Sequence, residues 1–175
     1  PVNADFDLAL VLDLDSLDRL GSTRPVFESC PRMIVIDHHV PHQRPGDVRV
    51  VDVDAPATAL ILAQLLHSLG TEITPQIATC LLTGIVTDTG SFRYRNTTPQ
   101  ALEVAARLLA RGGDIVQVGE EVYHKKPLAS VALLGRALSH LRLSAQGQIA
   151  MATVSKLDFE ETGAEEVYTE GIVNE

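Results

Sequence analysis

The sequence predicts an α/β fold, a mostly parallel sheet flanked by helices, and three observations predict it. The apolar run Leu8-Ala9-Leu10-Val11-Leu12 ends in Asp13, and the run Met33-Ile34-Val35-Ile36 ends in Asp37-His38-His39. Short apolar runs bounded by polar residues read as strands buried in a sheet. The middle of the chain is dense in Leu, Ile, Val and Ala and carries Thr74-Pro75 and Thr98-Pro99, two helix-start signals with Thr as cap and Pro in the first turn. Strands separated by helical stretches imply parallel pairing through crossovers.

The elements follow in order. Residues 6–13 read as a first buried strand and 15–21 as a turn or short helix ending at Gly21. Residues 32–37 make a second buried strand. A loop with two prolines and a glycine over 41–47 leads to a short third strand, 48–51. Helices are expected over 57–69, stopped by Gly70, then from Pro75 to about Thr87, and from Pro99 to Leu109, stopped by Gly112-Gly113. Asp114 can cap a short helix towards Tyr123, and Pro127 opens another to about Leu141. Ala145-Gln146-Gly147 reads as a boundary, followed by a strand over 148–154 and a helix over 155–161.

Composition narrows the function. At 175 residues and 45% hydrophobic, the chain can bury a core of its own. There is no Trp, and Phe and Tyr number 4 and 3, so a stacking platform for long single strands is not evident. A net charge of −9 argues against coating nucleic acid by backbone electrostatics, but not against a short anion held by a metal and a few basic residues. Cys30 and Cys80 lack metal-type spacing and read as reduced, half-buried thiols of a cytoplasmic protein. No apolar run reaches membrane-spanning length, so no membrane partner is expected.

The chemistry concentrates where strands and helices end. Ligands of open α/β sheets bind at the carboxyl ends of the strands, where Asp13 and Asp37-His38-His39 fall. Asp88 closes another apolar stretch in Gly84-Ile85-Val86-Thr87-Asp88-Thr89-Gly90. Asp13, His38 and Asp88 are the metal-ligand candidates, and oxygen with imidazole suits Mn²⁺, Mg²⁺ or Zn²⁺. Singly, each has an ordinary explanation: an Asp at a strand end often forms a turn or cap, and a lone His is usually structural. Together they outline a divalent-cation site. Asp37 and His39 flank the ligand, the first to orient an imidazole and the second to touch a phosphate or act as an acid. Arg93 and Arg95 follow Asp88 and are candidates to clamp phosphate, although two arginines in an exposed loop are equally an ordinary solvated segment. The basic cluster His124-Lys125-Lys126 reads as a solvated face, and His42, His67 and His140 receive no role.

Three segments taken together resemble the DHH phosphoesterases. They are Val11-Leu12-Asp13 with Leu17-Asp18-Arg19-Leu20-Gly21, then Asp37-His38-His39, and Gly84-Ile85-Val86-Thr87-Asp88-Thr89-Gly90-Ser91-Phe92. The branch they resemble is the bacterial oligoribonucleases that also act on 3′-phosphoadenosine 5′-phosphate. The resemblance implies that Asp13 bridges two Mn²⁺ or Mg²⁺ ions and that His38 and Asp88 complete the ligands of one, with Asp37 and His39 supporting the site. It implies a metal-activated water attacking the phosphorus of a short oligonucleotide or nucleotide, in a cytoplasmic enzyme whose oligomeric state is left open, a homodimer being one candidate. A single-strand exonuclease of the RecJ type, a pyrophosphatase of the same superfamily and a non-catalytic nucleotide-binding module are the alternatives.

Two features of the family pattern are not in this sequence. A His-x-x-x-Asp-x-Asp segment is expected before Asp13, which only twelve residues precede, and a C-terminal domain is expected where Glu170 to Glu175 reads as its opening. The expectation is therefore a fragment: 1–144 the DHH domain without its first motif, and 145–175 a linker and the start of the C-terminal domain. Alone, such a fragment would bind one ion well at most and hydrolyse diesters poorly.

Overall fold

The computed structural model describes residues 6–14, 16–42, 44–169 and 172. Asp15 and nearly all of the 170–175 segment lie outside these described residues. Two compact units divide between Gly119 and Glu120.

The first unit is built on a three-stranded parallel sheet of order β1-β2-β3, with β1 Ala9–Leu12, β2 Met33–Asp37 and β3 Val48–Val51. Leu10 pairs with Ile34 and Leu12 with Ile36, while Asp37 pairs with Val51, so all three strands end at one edge. The expectation of a first strand buried throughout is corrected. β1 alternates, with Ala9 and Val11 buried and Leu8, Leu10 and Leu12 exposed, because it is an edge strand packed on one face. On its open face, Leu8 and Leu10 line an apolar hollow with Val26 and Phe27.

A 3-10 segment, Leu17–Thr23, kinks at Gly21 and passes into α1, Arg24–Ser29, which the sequence reading did not anticipate. Among the described residues, the connection from β2 to β3 holds no helix. Four helices complete the unit: α2 Thr58–Ser68, α3 Pro75–Asp88, α4 Pro99–Ala110 and α5 Ile115–Gly119. Both Thr-Pro signals act as read, since Thr74 Oγ1 accepts from Ile77 N and Thr98 Oγ1 from Ala101 N. Asp114 Oδ1 accepts from Gln117 N and so caps the short α5. The core comprises Leu60 of α2, Leu82 and Ile85 of α3, Leu108 of α4 and Val35 of β2. Helices α2 and α3 approach closely where Gly84 faces Ala59, since a Cβ on Gly84 would lie 2.7 Å from Ala59 Cβ. That contact brings the end of α3 beside the start of α2, where the polar cluster forms. Cys30 and Cys80 are free thiols, and Cys80 is exposed rather than half-buried.

The second unit contains a π-type turn, Glu120–His124, then α6 Leu128–Ser139, an antiparallel pair β4 Arg142–Ser144 and β5 Ile149–Met151, and α7 Lys156–Thr162. Ala145–Gly147 forms the turn joining β4 to β5. Within the basic cluster, Lys125 pairs with Glu121. None of the helices among the described residues is long and apolar enough to cross a membrane.

α7 opens with a reciprocal cap. Ser155 Oγ accepts from Asp158 N at 3.3 Å, and Asp158 Oδ2 accepts from Ser155 N at 2.8 Å. The Ser155 hydroxyl and backbone N–H hold the Asp158 carboxyl below the usual carboxylate range, aided by His140 and Arg136. A depressed folded-state value means stability that is present above the unfolded value, about 4, and is lost as pH falls through the folded one. Loss of this cap in Ser155→Ala is expected to lower the stability of this unit at neutral pH. The difference from wild type should shrink in acid. Urea unfolding at several pH values checks it, and a variant equal to wild type at pH 7 contradicts it.

Candidate metal centre

The edge where β1 and β2 end carries the acidic and imidazole groups. Asp13 immediately follows β1, and its N–H still extends the ladder by donating to Ile36 O at 3.0 Å. It has φ 60°, the left-handed region that a residue with a Cβ enters at a cost. Strain of this kind persists only where surrounding contacts hold it, and functional sites are where it gathers. Here the contact is the Thr58 hydroxyl, which donates to Asp13 Oδ1 at 2.8 Å from the first residue of α2.

Asp37 is 1% exposed and anchors the turn at the end of β2. Its Oδ1 accepts from His38 N at 2.8 Å, from His39 N at 3.2 Å and from His39 Nδ1 at 2.8 Å. Its Oδ2 is buried and has no hydrogen-bond partner among the described residues. The turn thus fixes both imidazoles, whose rings meet edge to face with centroids 4.5 Å apart.

His38 is held from its other side. Ala55 O lies 3.1 Å from Nδ1, so Nδ1 carries the proton and donates. Nε2 then faces Asp13 Oδ1 at 3.6 Å and Asp88 Oδ2 at 3.7 Å. Asp88 arrives as the last residue of α3. Burial pushes its carboxyl above the usual range, and the negative charge of Asp13 pushes it further, against smaller opposing effects of the two imidazoles. Two carboxylates that repel each other beside one imidazole nitrogen are relieved by a cation between them.

The residues fit a divalent metal ion on these grounds. The donor set is carboxylate oxygen and imidazole nitrogen, the tautomer of His38 is fixed by a backbone carbonyl, and two carboxylates face the same imidazole nitrogen. Asp13, His38 and His39 each offer a ligand atom within 4.8 Å of the others. His39 thus stands as close to Asp13 as a ligand would, a placement outside the expected set of Asp13, His38 and Asp88.

The turn after α3 places the basic residues. Thr89 is buried, and its hydroxyl accepts from Phe92 N at 3.1 Å. Gly90, Ser91 and Phe92 all have φ between 55° and 63°. A side chain on Gly90 would lie 2.4 Å from the Tyr94 ring, so only glycine fits there. Arg93 turns its Nε to Gly90 O at 2.9 Å. Arg95 is exposed and makes no hydrogen bond among the described residues.

Two contributors escaped the sequence reading. Thr58 touches Asp13 across 45 positions, and Asn96 Nδ2 donates to Pro56 O at 3.3 Å and to Asp88 O at 3.0 Å. The one local clue to Thr58 was a hydroxyl residue at a helix start, which ordinarily signals a cap.

No family model matches the chain. Among curated proteins it is 40% identical, over 77% of its length and 40% of the relative's, to a bifunctional oligoribonuclease and PAP phosphatase NrnA of Thermus thermophilus. It is 31% identical to an A-adding tRNA nucleotidyltransferase of Aquifex aeolicus, over 72% of this chain and 15% of that protein. A crystal structure of an exopolyphosphatase-related protein from Bacteroides fragilis superposes with a TM-score of 0.89 at 24% identity, over 96% of this chain and 50% of that one. The chain spans less than half the length of these curated relatives. With the Asp-His-His turn at the sheet edge and 40% identity to an NrnA protein, the chain belongs to the DHH phosphoesterase family and is NrnA-like.

Proposed function

We propose that the chain supplies the phosphoesterase centre of an enzyme that hydrolyses short oligonucleotides, 3′-phosphoadenosine 5′-phosphate, or both, with Mn²⁺ or Mg²⁺ as cofactor. The convergence of Asp13, His38 and Asp88 from three separate elements carries this reading. The substrate class follows the activities for which the Thermus thermophilus relative is named.

In this reading Asp13, His38 and Asp88 would hold the cation. When bound, the metal neutralises phosphoryl oxygens and acidifies a water towards a nucleophile at neutral pH. His38 binds through Nε2 because Ala55 O holds its Nδ1–H. Asp37 keeps the His39 ring in one orientation through Nδ1, and His39 would contact the phosphate or pass a proton to the departing oxygen. Arg93 and Arg95 lend positive charge to the substrate phosphate from the turn after α3. We place the enzyme in the cytoplasm, where its two free thiols stay reduced.

The test is a hydrolysis assay on the complete protein. Di- to pentaribonucleotides and 3′-phosphoadenosine 5′-phosphate are incubated with Mn²⁺ or with a chelator. Metal-dependent release of mononucleotide or phosphate is the expected result. Tight nucleotide binding with no turnover in Mn²⁺ or Mg²⁺ contradicts it and marks a nucleotide-binding module instead.

A further inference from the structure

The segment between β3 and α2, residues 52–57, supplies none of the expected ligands, yet its backbone bonds to the turns that follow β2 and α3. Ala55 O accepts from His38 Nδ1, Pro56 O accepts from Asn96 Nδ2, and the same Asn96 amide donates to Asp88 O. Thr58 completes the set by donating to Asp13. One short stretch of chain thus reaches the tip of β1 and the turn after β2 directly, and the end of α3 through Asn96.

Thr58 departs from the habit of the other threonines within helices. Thr79, Thr83, Thr87 and Thr162 donate their hydroxyls to the carbonyl four residues back in their own helix. That is the default for a helical threonine. Thr58 stands in the first turn of α2, where no carbonyl of the helix precedes it, and sends its single hydroxyl proton to Asp13 Oδ1. It is 3% exposed, so water does not compete for that proton. Its acceptor sits on a backbone in the left-handed region, where nothing in the strand geometry dictates how the carboxylate turns.

We propose that Thr58 is a positioning residue of the metal centre. Its hydroxyl occupies one lone pair of Asp13 Oδ1 and fixes the rotation of the carboxylate, so that its remaining lone pairs meet a divalent cation beside His38. The inference rests on the metal-centre reading above and adds to it a residue that touches neither metal nor substrate. The ordinary alternative is a hydroxyl that merely fastens β1 to α2, and it predicts lost stability with unchanged metal affinity.

The two are separated by Thr58→Val, which keeps the shape and removes the donor, and Thr58→Ser, which keeps the donor. Mn²⁺ affinity is measured by calorimetry on the full chain, with the thermal midpoint of the metal-free protein read alongside. Loss of an outer-shell partner typically weakens metal binding about 10- to 100-fold, and Thr58→Val is expected to fall in that range. Thr58→Ser is expected to recover most of the affinity. Should the valine variant fail to fold, Thr58→Ala takes its place, alanine being well tolerated in a helix. Wild-type affinity in the valine or alanine variant overturns the proposal, as does a serine variant that binds as weakly as either. A wild-type chain that takes up no Mn²⁺ overturns the metal-centre reading itself, and this inference with it.

Discussion

His38→Ala is expected to remove Mn²⁺ binding and, with it, metal-dependent hydrolysis. The imidazole stands between two carboxylates, 3.6 Å from Asp13 and 3.7 Å from Asp88, and is the group that lets both face one cation. Loss of a neighbour that only orients a ligand costs about 10- to 100-fold in affinity or activity, so loss of the ligand itself should exceed the upper figure. The fold should survive. The substitution removes one hydrogen bond, from Nδ1 to Ala55 O, worth about 1 kcal/mol net. Calorimetric titration and circular dichroism on the same sample separate the two effects. A folded variant that binds Mn²⁺ like the wild type contradicts the assignment.

Asp37→Asn is expected to divide stability from activity. Three donors converge on Oδ1, while Oδ2 is buried and unpartnered. A buried carboxylate with a stranded oxygen is expensive to desolvate. The asparagine keeps an oxygen for the three donors and removes the charge, but its NH2 takes the place of the unpartnered Oδ2, so the two effects oppose and the thermal midpoint should change little. His39 meanwhile loses a charge-assisted bond that fixed its ring, and turnover should drop about 10- to 100-fold. Asp37→Ala behaves differently. It strands the N–H groups of His38 and His39, at about 1–3 kcal/mol for each donor left unsatisfied, and should destabilise the fold as well. Melting curves and initial rates at saturating Mn²⁺ read both quantities. Full activity in Asp37→Asn would sink the role given to Asp37.

Much of this was legible in the residues. β2 and β3 are short runs with clear ends, and their limits came out within a residue because an apolar run stopped by acid and histidine has one natural register. α3 and α4 were readable because Thr followed by Pro is a local signal with a mechanism. The three chemical segments each sat at the end of an element, which is why the sequence could point to one edge of the sheet.

The parts that stayed hidden depend on non-local packing. An apolar run does not reveal whether one face or two will be covered, so β1 read as fully buried while half of it is open. α1 is six residues long, too short for a helical period to emerge, and the three-residue strand β4 gives even less to detect, whereas β5 falls within the strand expected over 148–154. Thr58 and Asn96 act across 45 and 40 positions in the chain, and no spacing rule encodes such contacts. Their partners include backbone carbonyls, which every residue has and no motif displays.

The central claim is that Asp13, His38 and Asp88 share a divalent cation, and a crystal grown with Mn²⁺ tests it most directly. The account predicts an anomalous difference peak in contact with both carboxylates and with His38 Nε2. Density that is absent there, or a bound Mn²⁺ that leaves His38 untouched, would contradict it.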